Sequence, residues 1–221
     1  TDTLTGSATK ANTLDAGAGN DTITGGGAAD SITGGAGTDT YSFSSATLAE
    51  QAGSSTTTGT VINLGATTLT NTAVFTAMAD YISGAQTGVA TNTSTYLFNA
   101  ESNTDASIVD TLSGIENVTG STGDDYIVGS TAANTIDGGL GTDYITTGTG
   151  ADVVSYDTAG DGSAAVTLTA LDATNDFTVT LGATTDYISD FTTGTDKINI
   201  AGALKTALNG TNDATNGTDS T

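Results

Sequence analysis

Large apolar residues recur along two stretches of the chain, each two places after an acidic or amide residue that follows a glycine-rich segment. Successive acidic positions are 10, 9, 9 and 9 residues apart in the first stretch, and every step in the second is 9. The pairs are Asp2/Leu4, Asn12/Leu14, Asp21/Ile23, Asp30/Ile32 and Asp39/Tyr41, then Glu116/Val118, Asp125/Ile127, Asn134/Ile136, Asp143/Ile145 and Asp152/Val154. This spacing predicts very short strands separated by tight turns. Because one such strand cannot bury its single apolar side chain, successive units must stack to form a core.

The most complete unit runs G-G-A-G-T-D-T-Y-S over residues 34–42, which fits the pattern G-G-x-G-x-D-x-U-x with U a large apolar residue. Glycine at the turn positions permits positive φ, which residues with a Cβ tolerate poorly. Stacking would also align the acidic positions about 5 Å apart, the spacing of neighbouring strands. Carboxylates at that spacing repel one another unless a cation lies between them.

Calcium suits such a site because it takes 6 to 8 oxygen ligands and accepts irregular loops, whereas magnesium demands octahedral geometry and keeps its waters. Calcium is therefore the stronger candidate and magnesium the weaker one. A simpler alternative is that each Asp only caps the backbone of its own turn.

The nonapeptide resembles the calcium-binding repeats of the RTX (repeats-in-toxin) family. The resemblance implies an all-β fold, a right-handed parallel β-roll (β-solenoid), in which two units make one coil and calcium ions lie between turns. The implied sites pair Asp2 with Asp21, Asn12 with Asp30, Asp21 with Asp39, Glu116 with Asn134, Asp125 with Asp143, and Asn134 with Asp152. The implied carbonyl ligands come from the turn glycines Gly17, Gly19, Gly25, Gly27, Gly35, Gly37, Gly139, Gly141, Gly148 and Gly150.

Some units depart from the pattern. Asn12 and Asn134 offer a neutral oxygen, and Glu116 is one methylene longer than Asp. We expect those sites to be weaker or empty. The ligands that the sequence supports best are Asp21, Asp30, Asp39, Asp125, Asp143 and Asp152.

The period is lost between the two blocks and after the second. We expect a first block at 1–43, an insertion of strands and short helices at 44–113, a second block at 114–156, a β-rich capping region at 157–200, and a short helix with a flexible tail at 201–221. Within the insertion, the residue pattern favours strands at 60–64 and 94–98 and short helices at 46–51 and 73–81. The insertion should pack against the roll or extend it.

Residues 187–200 read Y-I-S-D-F-T-T-G-T-D-K-I-N-I and resemble a motif that follows the β-roll in many RTX proteins exported by type I secretion. The resemblance implies a β-hairpin that caps the roll. Tyr126 and Tyr144 stand between the acidic and apolar positions of their units, so both should face outward, as a contact surface or as a simple stack.

The composition of the chain excludes several classes of partner and of chemical site. The chain has 25 acids against three Lys and no Arg, for a formal net charge of −22, so it should repel nucleic acid and anionic membrane surfaces. It lacks His and Cys, which excludes a Ser-His-Asp triad, imidazole zinc sites and disulfides. We expect no catalytic residues, no organic cofactor and no membrane insertion.

Thr/Gly/Ala/Asp-rich RTX chains with almost no basic residues resemble bacterial surface-layer proteins. We therefore expect a secreted, extracellular protein of a bacterial cell surface that folds on several calcium ions after type I secretion. It should self-associate into a sheet or filament, and cell-surface polysaccharide is a further candidate partner. Two alternatives stay open: a secreted adhesin or binding module, and the calcium-binding export domain of an RTX enzyme or toxin whose catalytic part lies elsewhere. Because the chain starts inside a repeat, we expect it to be part of a longer protein.

Overall fold

Successive repeat units place their short strands alternately in two sheets, which makes the chain a parallel β-roll. The computed structural model describes residues 1–7, 9–26, 29–43, 58–65, 88–91, 109–121, 123–156, 166–170, 177–181 and 184–200. Their regular structure is entirely strand. The expected all-β parallel roll is therefore confirmed.

Sheet A holds seven strands, all parallel, in the order β1-β3-β5-β9-β11-β13-β17. They are β1 (Thr3–Thr5), β3 (Thr22–Thr24), β5 (Thr40–Ser42), β9 (Asn117–Thr119), β11 (Thr135–Asp137), β13 (Val153–Tyr156) and β17 (Lys197–Ile200). Each neighbour along this sheet lies one coil further along the roll.

Sheet B holds ten strands in the order β14-β15-β16-β12-β10-β6-β7-β8-β4-β2. They are β2 (Thr13–Ala18), β4 (Ser31–Ala36), β6 (Thr58–Asn63), β7 (Gly88–Thr91), β8 (Val109–Ser113), β10 (Asp124–Val128), β12 (Tyr144–Thr146), β14 (Val166–Ala170), β15 (Phe177–Leu181) and β16 (Thr184–Ile188). Strands β14, β15 and β16 pair antiparallel, and the other pairs are parallel.

The core is a single column of apolar side chains between the two sheets. In sheet A the register aligns Ile23 with Tyr41, and Tyr41 with Val118. In sheet B it aligns Ile127 with Ile145. These side chains are at most 1% exposed. Full burial of one such side chain stabilises the fold by about 1.5–3 kcal/mol, so the number of stacked coils determines how stable the roll is.

The two repeat blocks form one continuous stack, because β5 of the first block pairs directly with β9 of the second. On the opposite side, β8 pairs with β4, and β7 and β6 lie between β8 and β10. The described part of the insertion thus extends sheet B. Strand β6 covers residues 60–63 of the strand expected at 60–64. The elements expected at 46–51, 73–81, 94–98 and 201–221 lie outside the described residues.

The prediction that residues 187–200 form a capping hairpin is wrong. Strand β16 pairs in parallel with β12 in sheet B, and β17 pairs in parallel with β13 in sheet A. The two strands therefore make one further coil of the roll. The physical reason is that Ile188 and Ile198 align with Ile145 and Val154 and continue the core column.

Tyr126 and Tyr144 form a stack on the outer side of sheet B, and Tyr187 extends it by one strand. Ring centroids are 5.2 Å apart for Tyr126 and Tyr144, with planes 10° apart, and 5.0 Å apart for Tyr144 and Tyr187. Tyr126 is only 7% exposed. The arrangement favours the stack over an open contact surface.

Within the described ranges, no helix has the length and apolar character needed to cross a membrane.

Candidate metal centre

The acidic positions of sheet A form a ladder in which each backbone N–H donates to the side chain one coil further on. Asp2 donates to Asp21 Oδ1 at 2.5 Å, and Asp21 donates to Asp39 Oδ1 at 2.8 Å. The other bonds of this ladder run from the backbone N–H of Asp39 to Glu116 Oε2 at 2.9 Å, from that of Asn134 to Asp152 Oδ1 at 2.8 Å, and from that of Asp152 to Asp196 Oδ1 at 3.1 Å. Between Glu116 and Asn134 the bond differs, since Asn134 Nδ2 donates to the Glu116 carbonyl at 2.6 Å.

A second ladder follows the acidic positions of sheet B. Asn12 donates to Asp30 Oδ1 at 2.6 Å, and Asp30 donates to Asp110 Oδ1 at 2.8 Å. Beyond the insertion strands, the N–H of Asp125 donates to Asp143 Oδ1 at 2.8 Å, and that of Asp143 to Asp186 Oδ1 at 2.9 Å. All six pairs expected from the sequence therefore lie on adjacent coils. Their role as calcium ligands stays a prediction.

The turns before these acids place carbonyl oxygens close to the next coil. A Cβ at Gly35 would lie 1.9 Å from the carbonyl oxygen of Gly17, and one at Gly37 would lie 1.7 Å from that of Gly19. Eight of the ten predicted glycines have positive φ, namely Gly17, Gly19, Gly35, Gly37, Gly139, Gly141, Gly148 and Gly150. Only glycine adopts that conformation at little cost, so the sequence can turn this tightly. Gly27 lies outside the described residues.

The outer carboxylate oxygens of several ladder residues are buried and lack a hydrogen-bond partner. They are Oδ2 of Asp21, Asp30, Asp39 and Asp152, on residues at most 3% exposed. A buried carboxylate oxygen with no partner is costly, and a hard cation bound by carboxylate and carbonyl oxygens would remove that cost. The donor set therefore fits Ca²⁺. Over the described residues, no three acidic side chains converge as a ready metal cluster, so the turn carbonyls would have to complete each site.

The pKa values of two ladder carboxylates also favour a bound cation. Burial raises the pKa of Asp30, and hydrogen bonds from Asn12 oppose the shift. Burial also raises the pKa of Asp152, and the charges of Asp196 and Asp190 add to the effect. In the absence of a cation, burial thus disfavours the charged forms of Asp30 and Asp152.

One rung of the sheet B ladder carries a tyrosine. Tyr41 occupies the apolar core position of its unit, and its hydroxyl donates to Asp110 Oδ2. Burial raises the pKa of Asp110 to about 7, while the hydrogen bonds from Tyr41 and from the Asp30 N–H hold it lower than burial alone would. Oδ2 of Asp30 belongs to the same cluster, since a Cβ at Gly25 would lie 2.8 Å from it and 2.5 Å from Asp110 Oδ2.

Four further acids that belong to the ladders or to the turns beside them were not predicted from the sequence: Asp110, Asp186, Asp190 and Asp196. Asp190 accepts the N–H of Thr147 at 2.7 Å and that of Gly148 at 2.9 Å, which fixes the turn before Asp152. The other three extend the ladders. Each of these three is followed two places later by Leu or Ile, so the acid-to-apolar spacing could have revealed them.

Comparison with known proteins gives one family match. The model described as RTX calcium-binding nonapeptide repeat, four copies, matches residues 9–41 and 119–154. Both matched segments lie within the two expected repeat blocks. No curated protein matches the chain.

Proposed function

The chain carries RTX calcium-binding nonapeptide repeats in both of its blocks, and we propose that it is a calcium-dependent extracellular structural protein, the subunit of a surface layer or filament. The repeats themselves are a calcium-binding element and not a catalytic one. The proposal adds that calcium folds the roll outside the cell and that the folded roll assembles.

The coupling of folding to calcium rests on the buried ladder. A chain with a net charge of −22 brings buried carboxylates into register, and the unpartnered Oδ2 atoms of Asp21, Asp39 and Asp152 raise the cost of folding. Binding an ion between coils lowers that cost, so the binding free energy becomes folding free energy. Extracellular calcium modules bind with dissociation constants of about 10⁻⁴ to 10⁻³ M, which keeps such a roll unfolded in the cytosol and folds it after export.

The structural role is supported by the continuity of the stack. Strand β5 pairs directly with β9, so both blocks form one elongated body instead of two separate modules. Its sheet A aligns a row of polar residues, one on each of five neighbouring strands: Thr3, Thr22, Thr40, Asn117 and Thr135. A regular polar face on a stiff rod suits lateral packing of identical subunits.

Far-ultraviolet circular dichroism in EGTA and then in millimolar CaCl₂ tests the folding step. We expect a β spectrum only after calcium is added. A β spectrum that is already complete in EGTA contradicts the proposal.

Electron microscopy of the purified protein with and without calcium tests assembly. Ordered sheets or filaments in CaCl₂, absent in EGTA and absent for the double variant Asp39→Ala/Asp143→Ala, support a lattice subunit. Monodisperse monomers that fold with calcium exclude it and leave a binding module or an export domain as the function. Co-sedimentation with cell-surface polysaccharide in CaCl₂ tests the remaining candidate partner.

A further inference from the structure

The residue four places before each acid divides the turns into two types. In the turn of Asp125 this residue is Ser121, whose N–H donates to Asp125 Oδ2 at 2.7 Å and whose hydroxyl donates to Oδ1 at 2.9 Å. In the turn of Asn134 it is Ser130, whose N–H donates to Asn134 Oδ1 at 2.7 Å. We call a turn closed when the backbone N–H at this position donates to the turn's own acid or amide.

A third closed turn belongs to the coil beyond the second block. There the N–H of Thr192 donates to Asp196 Oδ2 at 2.7 Å. The closed turns are thus those of Asp125, Asn134 and Asp196, and in each of them the residue at the deciding position is Ser or Thr.

In the other type, glycine stands at this position with positive φ. The residues are Gly17 (φ 88°), Gly26 (φ 109°), Gly35 (φ 111°), Gly139 (φ 89°) and Gly148 (φ 95°). They precede Asp21, Asp30, Asp39, Asp143 and Asp152, and Oδ2 of Asp21, Asp30, Asp39 and Asp152 is buried without a hydrogen-bond partner. We call these five turns open.

The residue five places before the acid does not explain why some turns are open and others closed. A Cβ at Gly34 would lie 2.7 Å from Asp39 Oδ2 in an open turn, and one at Gly120 would lie 2.5 Å from Asp125 Oδ2 in a closed turn. Both carboxylates therefore stand over a glycine in the same way. The turns differ at the residue four places before the acid, because a Cβ there makes the left-handed conformation cost about 1–2 kcal/mol.

An N–H and a calcium ion compete for the same carboxylate oxygen. The amide hydrogen takes one of the two lone pairs of that oxygen, and its positive partial charge disfavours a cation at the same atom. The closed turn is in effect Asx capping, the simpler alternative that the sequence left open, whereas the open turn leaves an oxygen for the ion.

Building on the proposed calcium binding, we propose that the ions are bound at the open turns and that the closed turns of Asp125, Asn134 and Asp196 hold none. Serine or threonine four residues before the acid replaces an ion with a backbone hydrogen bond. Asp125, which the sequence ranks among the best ligands, then has a structural role in its own turn.

The test is to create an additional calcium site by substitution in the closed turn of Asp125. Ser121→Gly removes the Cβ that disfavours the open conformation, and Ser121→Ala removes only the hydroxyl and keeps the Cβ. Bound calcium per chain is measured for wild type and both variants by equilibrium dialysis at saturating CaCl₂, followed by metal analysis. We expect Ser121→Gly to bind one more ion than wild type and Ser121→Ala to bind the same number.

Equal counts for wild type and Ser121→Gly overturn the inference, as does an equal gain in Ser121→Ala. A wild type that binds no calcium removes the proposed function as well, whereas a wild type that binds calcium with no gain in Ser121→Gly removes this inference alone. Circular dichroism checks that each variant folds. If Ser121→Gly does not fold, amide hydrogen exchange of Ser121 in the calcium-saturated wild type decides: slow exchange supports the closed turn, and unprotected exchange overturns it.

Discussion

The backbone N–H of Asp39 donates a 2.9 Å hydrogen bond to Oε2 of Glu116, a residue 77 positions further along the chain. This bond joins the last unit of the first block to the first unit of the second. The extra methylene of Glu, which the sequence presented as a defect in a calcium site, belongs to the side chain that makes this connection.

Glu116→Ala should therefore weaken the junction between the blocks. Removing an ionised acceptor from a hydrogen bond costs about 1–3 kcal/mol, so the free energy of unfolding in CaCl₂ should fall by that amount. Urea denaturation measures the change. Glu116→Gln keeps an acceptor oxygen and should lose less, and equal stability of all three proteins contradicts the junction role.

Gly35→Ala and Gly17→Ala form a matched pair, because Gly17 and Gly35 hold the same turn position on adjacent coils. Both have positive φ, which costs alanine about 1–2 kcal/mol. Only at Gly35 does a Cβ collide with backbone, whereas at Gly17 it meets nothing within 4 Å. Gly35→Ala should lose a further amount of about 1–3 kcal/mol from overpacking, measured by urea denaturation in CaCl₂. Equal losses would show that the coils do not stack this closely.

Tyr41→Phe removes the hydroxyl that donates to the buried carboxylate of Asp110. A buried acceptor that loses its donor costs about 1–3 kcal/mol, so the stability at neutral pH should fall by that amount. The control is the same substitution in an Asp110→Asn background, where no charge remains to be stabilised and the loss should be smaller. A double-mutant cycle with no coupling energy argues against the contact.

Tyr126 gives a prediction at alkaline pH. Burial, with a smaller contribution from Tyr144, raises the pKa of Tyr126 to about 12 from an ordinary value near 10. Between pH 10 and 12 the unfolded chain releases this proton and the native state keeps it, so stability falls as pH rises through that window and is unaffected below it.

The free energy of unfolding at several pH values, compared between wild type and Tyr126→Phe, measures that contribution. The variant should lose less stability between pH 10 and 12, by at most about 1.4 kcal/mol per pH unit. Identical pH profiles for the two proteins would show that Tyr126 is not shielded in the stack.

The sequence by itself determined the repeating part of this protein. A nine-residue spacing of acid, apolar residue and glycine is a local pattern, and stacking is the only way for such short strands to bury Ile23, Ile127 or Ile145. From that spacing followed the stacking of short strands, the ladders of acids on adjacent coils and the positive φ of glycines such as Gly35, and the resemblance to RTX repeats added the parallel roll.

Only the tertiary structure decided which coils are neighbours wherever the period breaks. The pairing of β5 with β9, the place of β6 and β7 in sheet B, and the further coil made by β16 and β17 depend on which strand edges meet after a long connection. A local spacing does not encode that. The turns of Asp125 and Asp39 combine both sources: the sequence gives Ser121 and Gly35 four residues before the acid, but only the folded backbone shows that the N–H of Ser121 reaches the carboxylate and that Gly35 adopts positive φ.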